Sequence, residues 1–225
     1  MSTCLSHLSN ERGLMISGAD EPGIELSQQL EQLWLEAEIM NELILRNLAQ
    51  QALLDPIYHS PLFPPSPYYR FLKHLAEHLQ PSLSIVLGVC GGGCCLHLSL
   101  GNPNGRVVGV DFAYDHDEQI RHIYKQCPNF TFWQGDSVED AGKIVSDFGM
   151  PQIVFVDTVH TYEATMAEFG VWRQYLADNW VMCFDDLFRP GMEQAWNELP
   201  EPKVRLDALH TGAEQGGGFG VVWMA

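Results

Sequence analysis

The chain has 225 residues, 46% of them apolar, and its 12 Lys and Arg stand against 29 Asp and Glu for a formal charge of −17. That length and apolar content suit one domain with a core of its own. A surface this acidic repels phosphate backbones and anionic lipid, and no apolar run approaches the ~20 residues of a spanning helix, so nucleic acid and membrane are excluded as expected partners.

The opening residues, Met1 to Gly18, are too polar for a signal peptide, which places the expected location in the cytoplasm. Six cysteines, Cys4, Cys90, Cys94, Cys95, Cys127 and Cys183, contain no C-x-x-C pair. Their spacing suits neither a zinc site nor a disulfide framework, and free, mostly buried thiols are expected.

In chain order, Met1 to Pro22 lacks periodicity and reads as an arm. From Leu26 to Leu54 apolar residues recur at three and four (Leu26, Leu30, Leu33, Ala37, Met40, Ile44, Leu48), which predicts a long amphipathic helix ending before Pro56. Trp34, Leu35, Leu43, Leu45 and Leu53 widen the stripe, a width that suits a homodimer contact or a lid as well as packing on the domain itself. His59 to Pro67 holds four prolines in nine residues and reads as an extended linker. Residues 1–67 are therefore expected as an N-terminal extension and 68–225 as the main domain.

Tyr68 to Leu79 predicts a helix with Phe71, Leu72, Leu75 and Leu79 inward. Strands are then predicted at Ser84 to Val89, Arg106 to Val110, Phe130 to Trp133, Ile153 to Val156 and Trp180 to Phe184. Helices are predicted between them, at Gly92 to Leu100, Asp117 to Gln126, Val138 to Phe148 and Tyr162 to Ala177. Such alternation makes a parallel sheet with helices on both faces. Val204 to Leu209 and Phe219 to Met224, joined by a glycine-rich link, predict an antiparallel hairpin. The fold class is α/β, a doubly wound seven-stranded sheet of five parallel strands and that hairpin. Gly216 to Gly218 precedes a strand and lacks a following Lys-Ser/Thr, so it reads as a hairpin turn and not a phosphate loop.

The stretch from Ser84 to Asp111 is a βαβ unit. Its glycines, Gly91 to Gly93, let the backbone approach a ligand, and an acid about 20 residues on is where nucleotide-type folds hold ribose hydroxyls. Ligands of open α/β sheets bind at the carboxyl ends of the strands, and the polar residues expected there are Asp111, Asp136, Asp157 with His160, and Asp185 with Asp186. Any one of these aspartates could cap the next helix. Five on one edge repel each other unless a cation or ligand donors compensate.

The order of elements and the runs Gly-Val-Cys-Gly-Gly-Gly, Gly135-Asp136-Ser137, Val154 to Glu163 and Phe184-Asp185-Asp186 resemble the class I S-adenosylmethionine-dependent methyltransferases. Within that Rossmann-like fold they are similar to the branch of macrocin-type O-methyltransferases and cephalosporin-hydroxylase-like proteins. The resemblance covers about Tyr68 to Ala225. It implies that Asp111 bonds the cofactor ribose, that Phe112 or Ala113 lies against the adenine, that Asp136 accepts from the adenine amino group with Ser137 beside it, and that the backbone of Gly88, Val89, Gly91 and Gly92 holds the methionine end. Asp157 borders that cofactor site. It also implies Asp157, Asp185 and Asp186 as ligands of a divalent cation, with Mg²⁺ the natural candidate. His160, three residues beyond Asp157, is the candidate base, and a loop histidine there serves otherwise as a hydrogen-bonding partner.

The chain departs from the family at Val86, where relatives have an acid, at Cys90 in the place of a glycine, at Val159 in a loop that often reads Asp-Gly-Asp-His, and at Asn179-Trp180 in the place of a Gly-Gly turn. The expected function is a cytoplasmic, Mg²⁺-dependent O-methyltransferase acting on a small hydroxylated molecule of natural-product type. The alternative is a non-catalytic relative that binds the cofactor or serves as a structural partner. A nicotinamide dehydrogenase shares the βαβ unit but needs a small residue at Cys90 for its pyrophosphate and has no role for Asp185-Asp186.

Overall fold

A computed structural model describes residues 22–55, 66–113, 117–211 and 216–224; the expected arm before Pro22 and the proline-rich linker up to Pro65 lie outside the described residues. From Ala37 onward the described residues belong to one compact unit. The C-terminal half of α1 (Pro22–Leu54) buries Leu45, Leu48, Ala49 and Ala52 in the same core as α2 (Pro67–Leu79). Arg70 Nε on α2 donates to the Ala52 carbonyl at 2.6 Å, capping the end of α1. Ile39, Met40 and Leu43 on α1 remain exposed, so the wide stripe is only partly used within this unit.

The sheet has seven strands in the order β3-β2-β1-β4-β5-β7-β6. β1 (Leu83–Leu87), β2 (Arg106–Asp111), β3 (Phe130–Gln134), β4 (Ile153–Val156) and β5 (Val181–Phe184) run parallel, and β7 (Gly220–Trp223) is antiparallel to both β5 and β6 (Lys203–Arg205). The doubly wound class and the terminal antiparallel pair are as expected. β1, β4, β5 and β7 are buried along their whole length, which is why they are continuous apolar runs and not alternating ones. Successive side chains still go to opposite faces. Val86, Ile153 and Phe155 meet α2, α3 (Gly93–Gly101) and α4 (Asp117–Gln126), while Ile85, Val154 and Val156 meet α5 (Ala141–Phe148), α6 (Tyr162–Trp172) and α7 (Met192–Glu198). Val86 is completely buried between the β2 and β4 backbones, so an acid there would lie in an apolar core.

Several boundaries differ from the sequence expectation for identifiable reasons. The helix expected from Val138 begins at Ala141, because Asp136 Oδ1 accepts from the Val138 and Glu139 N–H groups, both at 2.7 Å, and holds a preceding turn. The helix expected to reach Ala177 ends at Trp172 in a single 3₁₀ turn, Arg173–Tyr175. The strand expected over Val204 to Leu209 is confined to Lys203–Arg205, because Asp207 opens a 3₁₀ turn and its carboxylate accepts from the Phe219 N–H. α7 was not expected at all. It is seven residues long, lies between Pro190 and Pro200, and inserts Met192 and Trp196 into the core.

Candidate active site

The strand order reverses between β1 and β4, and the site lies at the carboxyl ends of the strands around that point, where diverging crossovers leave a crevice. Gly88 ends β1 with φ +83°, and a Cβ there would come within 2.0 Å of the Asp157 carbonyl. Only glycine allows β1 and β4 to approach so closely. The chain then turns through Cys90 and Gly91, closed by the Gly92 N–H on the Val89 carbonyl at 2.7 Å. Cys90 holds φ +45°, a left-handed conformation that costs a non-glycine residue about 1 kcal/mol. Gly92, also left-handed, precedes the first turn of α3, whose free N–H groups suit an anionic ligand.

A cavity of about 500 Å³ opens beside this turn, a volume typical of small-ligand sites. Gly88, Cys90, Asp111, Phe112, Asp136, Ser137, Asp157, Thr158, Val159 and Glu168 all line it. Asp111 at the tip of β2 accepts the Val89 and Cys90 N–H groups at 2.8 and 3.1 Å on Oδ2, and the Ala113 N–H at 3.3 Å on Oδ1. It therefore fixes the glycine turn as well as facing the cavity. Phe112 exposes 64% of its surface, an apolar plate at the rim. Asp136 spends Oδ1 on its turn, so the capping role open to any strand-end aspartate is the one this residue fills with that atom.

Glu168 is a participant that sequence reading missed. It sits on α6, 2% exposed, and receives the Ser137 hydroxyl at 2.5 Å and the Thr158 hydroxyl at 2.8 to 2.9 Å. Burial raises its pKa, opposed by those two hydrogen bonds and reinforced by the charge of Asp136. The 31 residues between Ser137 and Glu168 leave no local pattern that would announce the contact.

Next to the cavity the strand ends of β4 and β5 form the acidic edge. Asp157 bonds His160 Nε2 at 3.2 Å, and the same nitrogen lies 3.5 Å from Asp186 Oδ2. Asp185 Oδ1 meets His210 Nδ1 at 2.6 Å. Asp186, itself at φ +55°, is held by Arg189 Nε at 2.6 Å and the Gly217 N–H at 2.6 Å. A Cβ on Gly216 would lie 2.7 Å from Asp186 Oδ1, so the glycine run lets the turn lie against this carboxylate. Asp185, Asp186 and His210 offer ligand atoms within 4.8 Å of one another; Asp157 stands outside that group and joins the edge through His160. His210, which no sequence motif singles out, also lies with its ring tilted against the buried Tyr68, centroids 5.1 Å apart.

The predicted mutual repulsion is thus met by protein cations. Burial pushes Asp157 up to about 7, with His160 opposing and Asp185 and Asp186 adding to the rise. For His160, burial pulls the pKa down, yet the Asp157 hydrogen bond and the charges of Asp157 and Asp186 outweigh it and leave it raised. The Asp185 hydrogen bond raises His210. Of the other histidines on helices, His97 is buried, stacks on Tyr69 and bonds the Gly93 carbonyl, His74 bonds Asp55, His122 bonds Gln126 and His78 is exposed. Cys94, Cys95, Cys127 and Cys183 are buried free thiols, as expected, and Cys90 is exposed.

Residues 85–187 match the family model described as a methyltransferase domain. No curated protein matches the sequence. Among solved structures the chain is similar to the cofactor-bound protein Rv0187 from MTB, at 19% identity and TM-score 0.59 over 80% of this chain and 87% of that one. It is similar to an O-methyltransferase from Bacillus cereus in complex with SAH, at 16% identity and TM-score 0.59 over 80% and 89%. It is likewise similar to the O-methyltransferase TomG from Streptomyces achromogenes in complex with SAM, at 16% identity and TM-score 0.58 over the same shares. The strand order, the glycine turn at its switch point and these likenesses converge on one fold: the chain has a Rossmann-like methyltransferase fold, and residues 85–187 are similar to a methyltransferase domain.

Proposed function

We propose that the domain transfers a methyl group from S-adenosylmethionine to a hydroxyl of a small molecule, with a divalent cation, Mg²⁺ as the first candidate, held at the acidic edge. The observation that carries this reading is the adjacency of two sites that share Asp157: a cavity with a nucleoside-sized volume, and a run of three carboxylates and two imidazoles beside its mouth. The cavity residues fit the cofactor. Asp111 and Asp136 offer carboxylate oxygens, Phe112 an apolar plate and Gly88 a close-approach backbone, while Val89, Gly91 and Gly92 lie outside the lining in the turn that leads to the α3 N-terminus.

The donors of the edge fit a divalent cation as well. Asp157, Asp185 and Asp186 supply hard oxygens, and His210 supplies a nitrogen already within ligand distance of the last two. When bound, the cofactor supplies an electrophilic methyl group and the cation supplies charge that favours an ionised hydroxyl. The chain does the rest by orientation. With His160 Nε2 donating to Asp157, the hydroxyl proton would go to Nδ1 of the neutral ring, and Asp157, with Asp186 near the same Nε2, would then stabilise the imidazolium.

The test is Asp185→Ala. Methyl transfer to a panel of hydroxylated small molecules should lose its stimulation by Mg²⁺, while S-adenosylmethionine affinity by calorimetry stays within about threefold, because Asp185 lies outside the cavity lining. Retained stimulation by Mg²⁺ in this variant would refute the metal role.

A further inference from the structure

One end of the cavity has an unusual hydrogen-bond polarity, set by a residue with no role in the reading above. Among the described residues, fourteen line the cavity; of these only Ser137 and Thr158 carry a side-chain hydroxyl, and none is Lys, Arg, Asn, Gln, His, Tyr or Trp. Each hydroxyl has one proton. Both protons point to Glu168: Ser137 Oγ lies 2.5 Å from Oε1, and Thr158 Oγ1 lies 2.9 and 2.8 Å from the two carboxylate oxygens. What the Ser137 and Thr158 side chains have left to offer a ligand is therefore lone pairs. Asp136 adds carboxylate oxygens to the same wall.

We propose that Glu168 is a specificity-determining residue: by taking both hydroxyl protons it leaves the side chains of this wall acceptor-only, so that the cavity admits a heterocycle presenting an amino group to them and rejects its oxo counterpart. The inference rests on the cavity being the cofactor site. For a purine, a 6-amino group would donate into these side chains, whereas a 6-oxo group would set one acceptor against others, with the adjacent N1–H as its one donor on that edge. A glutamine at 168 keeps the size but replaces one acceptor oxygen with an N–H₂ donor. One hydroxyl then accepts from that amide, and its own proton becomes free to face the ligand.

The experiment is a calorimetric titration of the folded chain with S-adenosylhomocysteine and its 6-oxo counterpart, S-inosylhomocysteine, on wild type, Glu168→Gln and Thr158→Val. Wild type should prefer the amino ligand by about tenfold or more, the scale of one mismatched buried hydrogen bond. Glu168→Gln should narrow that ratio to within about threefold, chiefly by binding the oxo ligand better. Thr158→Val should weaken the amino ligand while leaving the side chains of the wall unable to donate, so it keeps a preference of the same sign. If Glu168→Gln weakens both ligands equally, Glu168 merely braces the two loops and the proposal is overturned; equal binding of both ligands by wild type overturns it too. Binding of neither ligand by a wild-type chain that melts cooperatively would instead refute the cofactor reading on which it rests.

Discussion

At Asp111 a single carboxylate oxygen already accepts from two backbone N–H groups of the glycine turn, so the residue shapes the loop that it also serves. Asp111→Ala should lower S-adenosylmethionine affinity by about ten- to a hundredfold, the range expected for losing charge-assisted hydrogen bonds and leaving two donors unpaired. Unchanged affinity by calorimetry would refute the placing of the ribose there. Asp111, Asp157, Asp185, Asp186 and Gly88 were legible in the sequence because each ends a strand whose apolar run is easy to see. Glu168 and His210 were not. Glu168 meets Ser137 and Thr158, 31 and 10 residues away, and His210 meets Asp185, 25 away, and their significance comes only from the packing of α6 and of the loop after β6 onto the strand ends. Cys90 could be read as a departure from a glycine pattern, but its left-handed conformation needed the turn to be built.

At the scale of elements, the parallel strands were legible because burial on both faces makes them continuous apolar runs. α7 was not, since seven residues cannot establish a helical period and its stability is tertiary. Part of that stability comes from β6: Lys203 Nζ donates to the Trp196, Asn197 and Leu199 carbonyls at 2.7, 3.1 and 2.7 Å, closing the C-terminal end of α7. Lys203→Met keeps the aliphatic stem and removes the donors. It should destabilise the chain by about 1 to 2 kcal/mol, read as a lower urea midpoint at unchanged slope. An unchanged midpoint would show that water replaces the ammonium without loss. A three-residue edge strand carrying Lys203 and Arg205 also discourages pairing with another chain.

For the whole molecule, the acidic edge ties stability to pH. Asp157 is raised from 3.8 to about 7, and His160, His210 and Glu168 are also raised, so over these groups the folded chain holds more protons than the unfolded one. A raised group's contribution is fully present below its unfolded pKa and is lost as pH climbs through its folded value. The urea midpoint should therefore fall between pH 5 and pH 8, a trend that the charge of −17 reinforces by self-repulsion. A midpoint that rises over that range would contradict the protonation assigned to the edge.

The central claim is that the cavity between the glycine turn and Asp136 holds S-adenosylmethionine. A calorimetric titration of the chain with S-adenosylmethionine tests it most directly. One site per chain is predicted, with a dissociation constant of about 1 to 100 μM, sharply weakened by Asp111→Ala and little changed by Asp185→Ala. Absence of binding heat in a cooperatively folded chain, or binding that survives Asp111→Ala and is lost in Asp185→Ala, would contradict it.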